Sequence, residues 1–348
     1  MRKLLLPISL LYHIILKIRH KFYDWRWIKS EKFDLPVICV GNLCLGGSGK
    51  TPHTEYLIRL LQEQYQVALL SRGYGRKTKG FRQVTTDATS EEVGDEPLLY
   101  RKKYPDIQVA VDEDRVEGVR RLLESDNPPQ VILLDDAFQH RKIEAGLNIL
   151  LTEYDRLYCD DCLVPAGDLR DIRSAAQRVD IIVVSKAPAL ISDEEQQQII
   201  KKLNIRSGQK VFFSYLEYQK TLPLNATTGN YDTEVDSALL FCGIAHPEPL
   251  IAEAKSRYKH LEVMTFSDHH PYTEGDIKGI CKRYENMGEE RKIVLTTEKD
   301  AMRLTNSPYI CQFESMPLFV LPVSVRFHEE EKFNKEIAQY VRQNLSNH

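Results

Sequence analysis

The stretch Gly46-Gly47-Ser48-Gly49-Lys50-Thr51 constrains this chain more than any other. An apolar run, Val37-Ile38-Cys39-Val40, precedes it, and a helical pattern from Pro52 to Gln62 follows. Strand, glycine loop, Lys-Thr and helix is the layout of a phosphate-binding P-loop. Such a loop needs a strand and a helix packed as layers, which points to an α/β fold. Glycines let backbone N–H groups face phosphate oxygens where a Cβ would block the approach. The helix N-terminus adds partial positive charge. Lys50 would reach the outer phosphates, and the Thr51 hydroxyl would hold Mg²⁺. The strict pattern has Gly six residues before the Lys, where this chain has Cys44.

Apolar strand-like runs alternate with amphipathic helical stretches, at 36–41, 66–71, 107–111, 130–135, 147–152 and 180–185. This alternation predicts a doubly wound, mostly parallel sheet. Another strand-like run covers 209–218. Residues 220–236 are rich in Thr, Asn, Gly and Asp and read as a hinge. A second βα series follows, with strand-like runs at 238–243, 261–266, 292–296 and 317–323. The division expected is an interfacial helix at 1–30, a P-loop domain at 31–218, a hinge at 219–236 and a smaller α/β domain at 237–348. The net charge of -3 gives no global field that would draw nucleic acid. Seven scattered cysteines do not form a disulfide framework, and Cys159-x-x-Cys162 lacks the second pair that zinc requires.

Hydrophobic strand ends carry the next signals. Val131-Ile132-Leu133-Leu134-Asp135-Asp136 reads as a buried strand ending in two carboxylates, where a P-loop fold carries its metal-binding Asp. Either Asp135 or Asp136 can serve. Gln139 and His140 follow on the same rim, so His140 is a candidate for substrate contact. Ser71-Arg72-Gly73-Tyr74-Gly75-Arg76-Lys77 reads as an anion-binding loop, with Arg72 facing substrate. Arg115, Arg170 and Arg173 could clamp phosphate or pair with local acids. In Gly94-Asp95-Glu96-Pro97 the acids suit a helix start, or one of them serves as a base opposite the γ-phosphate. Asp268-His269-His270 is a turn, a metal cluster or a catalytic dyad. Ser185-Lys186 is followed by Pro188 where guanine readers carry Asp, which favours adenine.

Residues 4–16 are almost entirely apolar, too few to span a bilayer. Arg2 and Lys3 precede them; Lys17, Arg19, Lys21 and Arg26 follow, with Trp25 and Trp27 interleaved. Cations and Trp beside an apolar helix suit a membrane-associated helix lying on the cytoplasmic bilayer face. A first helix packed on the core is the competing expectation.

In this order, the motifs resemble the tetraacyldisaccharide 4'-kinase family, the lipid A 4'-kinases. The resemblance spans nearly the whole chain. It runs from the basic apolar N-terminus through Val40-Gly41-Asn42, the P-loop, Ser71–Gly75, Gly94–Pro97, Asp135-Asp136, Gln139-His140 and Pro165-Ala166-Gly167. It continues through Leu169-Arg170, Gly243–Glu248 and Asp268-His269-His270 to Thr297-Glu298-Lys299-Asp300-Ala301. It implies transfer of the ATP γ-phosphate to a membrane-embedded acylated glucosamine disaccharide 1-phosphate, with Mg²⁺, two α/β/α domains and peripheral inner-membrane attachment. It implies Asp95 as base, assisted by His269, with His246 as the competing histidine. The family pattern also lacks the glycine replaced by Cys44. Ala137-Phe138, Asp168 and Asp171 depart from it. The rivals are a membrane-associated switch ATPase of the partitioning type and a soluble small-molecule kinase with a buried first helix.

Overall fold

The computed structural model describes residues 2–224, 235–288, 291–305, 309–314 and 316–345. Most of the expected hinge, 225–234, lies outside them. Seven aliphatic runs form the strands β1 (Val37–Asn42), β2 (Val67–Ser71), β3 (Gln108–Val111), β4 (Val131–Asp135), β5 (Leu147–Glu153), β6 (Ile181–Ser185) and β7 (Lys210–Tyr218). β1, β2, β4 and β6 are buried along their whole length. Continuous burial is the signature of parallel strands covered on both faces. The smaller sheet uses β8 (Ser237–Cys242), β9 (His260–Thr265), β10 (Lys292–Thr296) and β11 (Leu318–Val320).

The last strand, β12 (Val323–Phe327), does not stay in the smaller sheet. It pairs antiparallel with β7, Ser214 opposite Phe327, and forms the edge of the larger sheet. The larger sheet therefore runs β12-β7-β6-β5-β1-β4-β2-β3, with a short strand at Arg82–Gln83 closing the far edge. The smaller sheet runs Leu222–Pro223, β11, β10, β8, β9. The run expected at 317–323 is thus two strands in two sheets, parted at Leu321-Pro322, because proline ends ladder pairing. The final helix, Glu330–Leu345, buries Phe333, Ile337 and Val341 against the larger sheet. The smaller unit expected at 237–348 accordingly gives its last strand and helix to the larger one.

β1 lies between β4 and β5, parallel to both. The glycine loop leaves its carboxyl end at the centre of the sheet, where doubly wound folds hold ligands. Helix α1 (Lys50–Leu61) starts directly after the loop. Gly41 must be glycine, because a Cβ there would stand 2.6 Å from the Phe138 Cβ.

The N-terminal helix, Leu6–Asp24, has two unlike faces. Ser9, Leu16, His20 and Tyr23 are buried. Ser9 Oγ donates to the Leu163 carbonyl (2.8 Å), Tyr12 to the Arg170 carbonyl (3.2 Å), and His20 meets Asp171 at 2.6 Å. The outer face leaves Leu10, Leu11, Ile14, Ile15 and Ile18 exposed. Among the described residues no helix is long and apolar enough to cross a membrane.

Candidate active site

The glycine loop is held open from both sides. Gly46 (φ +97°) and Gly49 (φ +82°) occupy backbone conformations that side chains disfavour. Asn42 donates to Ser48 Oγ (2.8 Å), and Ser185 Oγ donates to the Ser48 carbonyl (2.9 Å). From the smaller unit, the His246 ring lies against Gly46 and Gly47.

Asp135 and Asp136 are adjacent but differ in conformation and charge. Asp135 ends β4 in extended backbone and is buried beneath the loop. Its contacts are long, 3.5 Å from Thr54 Oγ1 and 3.4 Å from Tyr100 OH. Burial, then the charges of Glu96 and Asp136, push its carboxyl up to about 7. Asp136 turns into the left-handed region (φ +49°). There Arg170 donates to both its oxygens, through Nη1 at 3.0 Å and through Nη2, and Lys50 Nζ stands 3.7 Å away. Burial pushes this carboxyl up, but Lys50 and Arg170 outweigh it and hold it at about 2.

Helix α2 (Asp95–Lys103) begins with two further acids. Gly94 (φ +90°) permits the entry; a Cβ there would stand 3.0 Å from the Tyr74 carbonyl oxygen. The Thr51 hydroxyl donates to Glu96 Oε1 at 2.9 Å. Asp95, one residue earlier, meets His269 Nδ1 at 3.0 Å. A carboxylate only accepts, so Nδ1 carries the hydrogen and Nε2 is left for another proton. Arg303 Nη2 donates to the same Asp95 oxygen at 2.6 Å. Burial raises the Asp95 carboxyl, but the His269 hydrogen bond and the Arg303 charge hold it well below the usual range. The Asp95 bond raises His269 above its ordinary value.

Helix α3 (Glu298–Thr305), in the smaller unit, packs against α2 and supplies these cations. Lys299 donates to Glu96, and Glu298 pairs with Lys103 at 2.9 Å. Asp300 is fully buried. It accepts from Gly243 N–H (3.1 Å), Tyr272 (2.9 Å) and Arg303 (2.8 Å). This accounts for Thr297-Glu298-Lys299-Asp300, whose sequence alone gives no role. Lys299 and Asp300 precede Arg303 by four and three residues, and that spacing was the available signal.

The remaining candidates form a second cluster. Arg115 opens the helix Arg115–Leu123, which Asp114 caps by accepting from Val116 N–H at 3.1 Å. The Arg115 side chain is buried and donates to the Asp112 carbonyl at 2.8 Å, while its Nε and Nη2 have no hydrogen-bond partner among the described residues. Arg115 and Arg72 both act on His140, whose half-buried ring is pushed down to about 4 by burial and those two charges. Arg72 itself is exposed. Arg19, Arg115, His140 and Arg141 line a cavity of about 160 Å³ beside the N-terminal helix. In Asp268-His269-His270 the histidines separate: His269 faces Asp95, and His270 bonds Asp276 at 3.0 Å and stacks on Phe266.

Around Thr51 the donors are hard oxygens: the hydroxyl, Asp135 and Glu96. They suit a small divalent cation, which keeps waters and takes one or two carboxylates plus phosphate oxygens. Lys50 and Lys299 only partly offset the upward push on the Asp135 carboxyl, and a divalent ion would supply further positive charge.

A family model described as tetraacyldisaccharide-1-P 4'-kinase (LpxK) matches residues 1–342. The chain belongs to this kinase family. It is 44% identical to the tetraacyldisaccharide 4'-kinase of Flavobacterium johnsoniae, covering 99% of this chain and 98% of that one. It is 43% identical to that of Phocaeicola vulgatus, over 99% and 96%. Crystalline LpxK from Aquifex aeolicus, solved in complex with ATP, is similar at a TM-score of 0.73 and 32% identity, over 98% of this chain and 99% of that one. Membership in the kinase family favours the kinase over the partitioning-type switch ATPase.

Proposed function

We propose that this chain transfers the γ-phosphate of ATP to the 4'-hydroxyl of a tetraacyldisaccharide 1-phosphate, in lipid A biosynthesis. One observation carries the chemistry: Thr51 of the phosphate loop is bonded to Glu96, and the next residue back is Asp95. A phosphate seated on the loop therefore meets an oriented carboxylate one residue away from the Thr51 contact.

The loop amides of Gly46, Gly47, Ser48 and Gly49 cradle the phosphates, with Lys50 on the outer ones. Thr51 and the Asp135-Asp136 pair would hold Mg²⁺, which would neutralise phosphate charge. Asp136 keeps Arg170 and Lys50 in place. Asp95 accepts the proton of the acceptor hydroxyl as its oxygen bonds to phosphorus and the bond to the ADP oxygen breaks. Arg303 and His269 keep Asp95 ionised and aimed. A weak base suffices, because a loose phosphoryl-transfer transition state asks mainly for position and charge. Arg72, Arg115 and Arg170 offer cations to the acceptor's own phosphate, and the neutral His140 ring offers a hydrogen bond.

The N-terminal helix seats the enzyme on the cytoplasmic face of the inner membrane. What supports this is its exposed row, where Leu10 is 62% exposed, together with Trp27 just beyond the helix, 72% exposed. Each such side chain contributes about 2 kcal/mol when moved into an apolar phase. Changing Leu10, Leu11 and Ile14 together to Ser tests this by co-sedimentation with anionic vesicles. Unchanged sedimentation would refute the seat.

The reaction is tested with γ-labelled ATP in detergent–lipid micelles, with and without the disaccharide 1-phosphate. Label on the disaccharide, dependent on Mg²⁺ and lost in Lys50→Ala, is the expected result. Free phosphate released equally with or without lipid would overturn it.

A further inference from the structure

His53 sits one turn into α1 and takes no part in the chemistry above. It is buried, 4% exposed. Its Nδ1 lies 2.7 Å from the Gly49 carbonyl oxygen. A carbonyl only accepts, so Nδ1 carries the hydrogen and Nε2 is left as acceptor. Nε2 then takes the Ser214 hydroxyl at 2.8 Å, from fully buried Ser214 on β7. The His53 backbone N–H donates to the same Gly49 carbonyl at 3.2 Å. One residue thus grips that carbonyl twice. Burial pushes the ring down to about 4, so it stays neutral and keeps this tautomer near neutral pH. Phe327 of β12 closes the ring's edge at 5.9 Å between centroids.

Gly49 is the residue before Lys50, and its φ of +82° has no side chain to enforce it. In that conformation its carbonyl points forward along α1 toward His53, as the first carbonyl of a helix does. A glycine released from this grip samples many other conformations, most of which turn an amide off the phosphate. We propose that His53 is a positioning residue for the phosphate loop, locking the Gly49 carbonyl so that the loop amides are set for ATP before it arrives. This rests on the reading of Gly46–Thr51 as the ATP phosphate site.

Three variants test it: His53→Ala, His53→Asn and Lys50→Ala. The Asn amide places an N–H near the Nδ1 position but cannot reach Ser214. His53→Ala should raise the KM for ATP about tenfold, with kcat and the acceptor KM within about twofold, since only preorganisation of one loop is lost. His53→Asn should recover most of that rise. An unchanged KM for ATP in His53→Ala overturns the inference. So does His53→Asn as impaired as His53→Ala, or a parallel loss in kcat and acceptor KM, because both mark a packing role. If Lys50→Ala is also indistinguishable from wild type, the ATP reading itself has failed; if Lys50→Ala is crippled and His53→Ala is not, only this inference has.

Discussion

The rim of the larger sheet and helix α3 of the smaller unit bring opposite charge to one cleft. The rim presents Asp95, Glu96 and Asp135; the helix answers with Lys299 and Arg303. At this rim burial first, and then repulsion from neighbouring acids, pushes Asp135 up. Asp95 and Glu96, which have cations from the other unit, are held below their ordinary range despite burial. The difference teaches that ionisation of Asp95, the proposed base, depends on docking of the two units. Neither unit alone holds a finished site, since an unpaired buried charge is strongly unfavourable.

The sharpest way to break this comparison is on the rim. Lys50→Ala should cut transfer by about 10³-fold, the scale of a charge aimed at a moving phosphoryl group. Steady-state transfer in micelles measures it. Asp95→Asn should lower kcat by about 10²- to 10⁴-fold as a lost general base, with ATP binding nearly intact by calorimetry. Equal loss of both would make Asp95 structural. Arg303→Met attacks from the other unit. It should lower kcat by about 10²-fold, the cost of misplacing a catalytic group, and leave the KM for ATP within error. If Arg303→Met behaves as wild type, the two units do not cooperate as described.

The smallest effect is on stability. His269 has its folded value raised by Asp95. Its contribution is complete below the unfolded value of about 6.5 and fades as pH rises through the raised one. The difference in thermal midpoint between wild type and His269→Asn should therefore shrink from pH 6 to pH 9. A constant difference would mean that the pair contributes through packing alone.

Much of the rim could be read from the chain because strand ends and loops repeat a simple grammar. Apolar runs place β1 and β4 side by side, and Lys50, Thr51 and Asp135 follow from their ends. The Asp95–His269 contact came from motif resemblance, since 174 positions separate them and no local rule links them. Arg303 was invisible for a related reason: an arginine in an amphipathic helix looks like a solvated face until a partner is seen. Arg115 reads as a phosphate clamp or a partner of local acids, and its sequence neighbourhood does not say that it is buried with one nitrogen on the Asp112 carbonyl. Pro322 marks the end of a run, yet nothing local says that the strand after it returns to the first sheet.

That return has a consequence in time. The ring of Phe327 closes over His53, and Phe333 and Asn334 pack on Tyr56 of the same helix. Roughly 270 residues separate His53 from Phe327, which at about 5–20 residues per second is tens of seconds of synthesis. Throughout that interval the emerging chain carries His53 without the Phe327 ring that packs on it. The order of translation thus withholds the fully packed phosphate-loop helix from the ribosome-bound chain until β12 has been made.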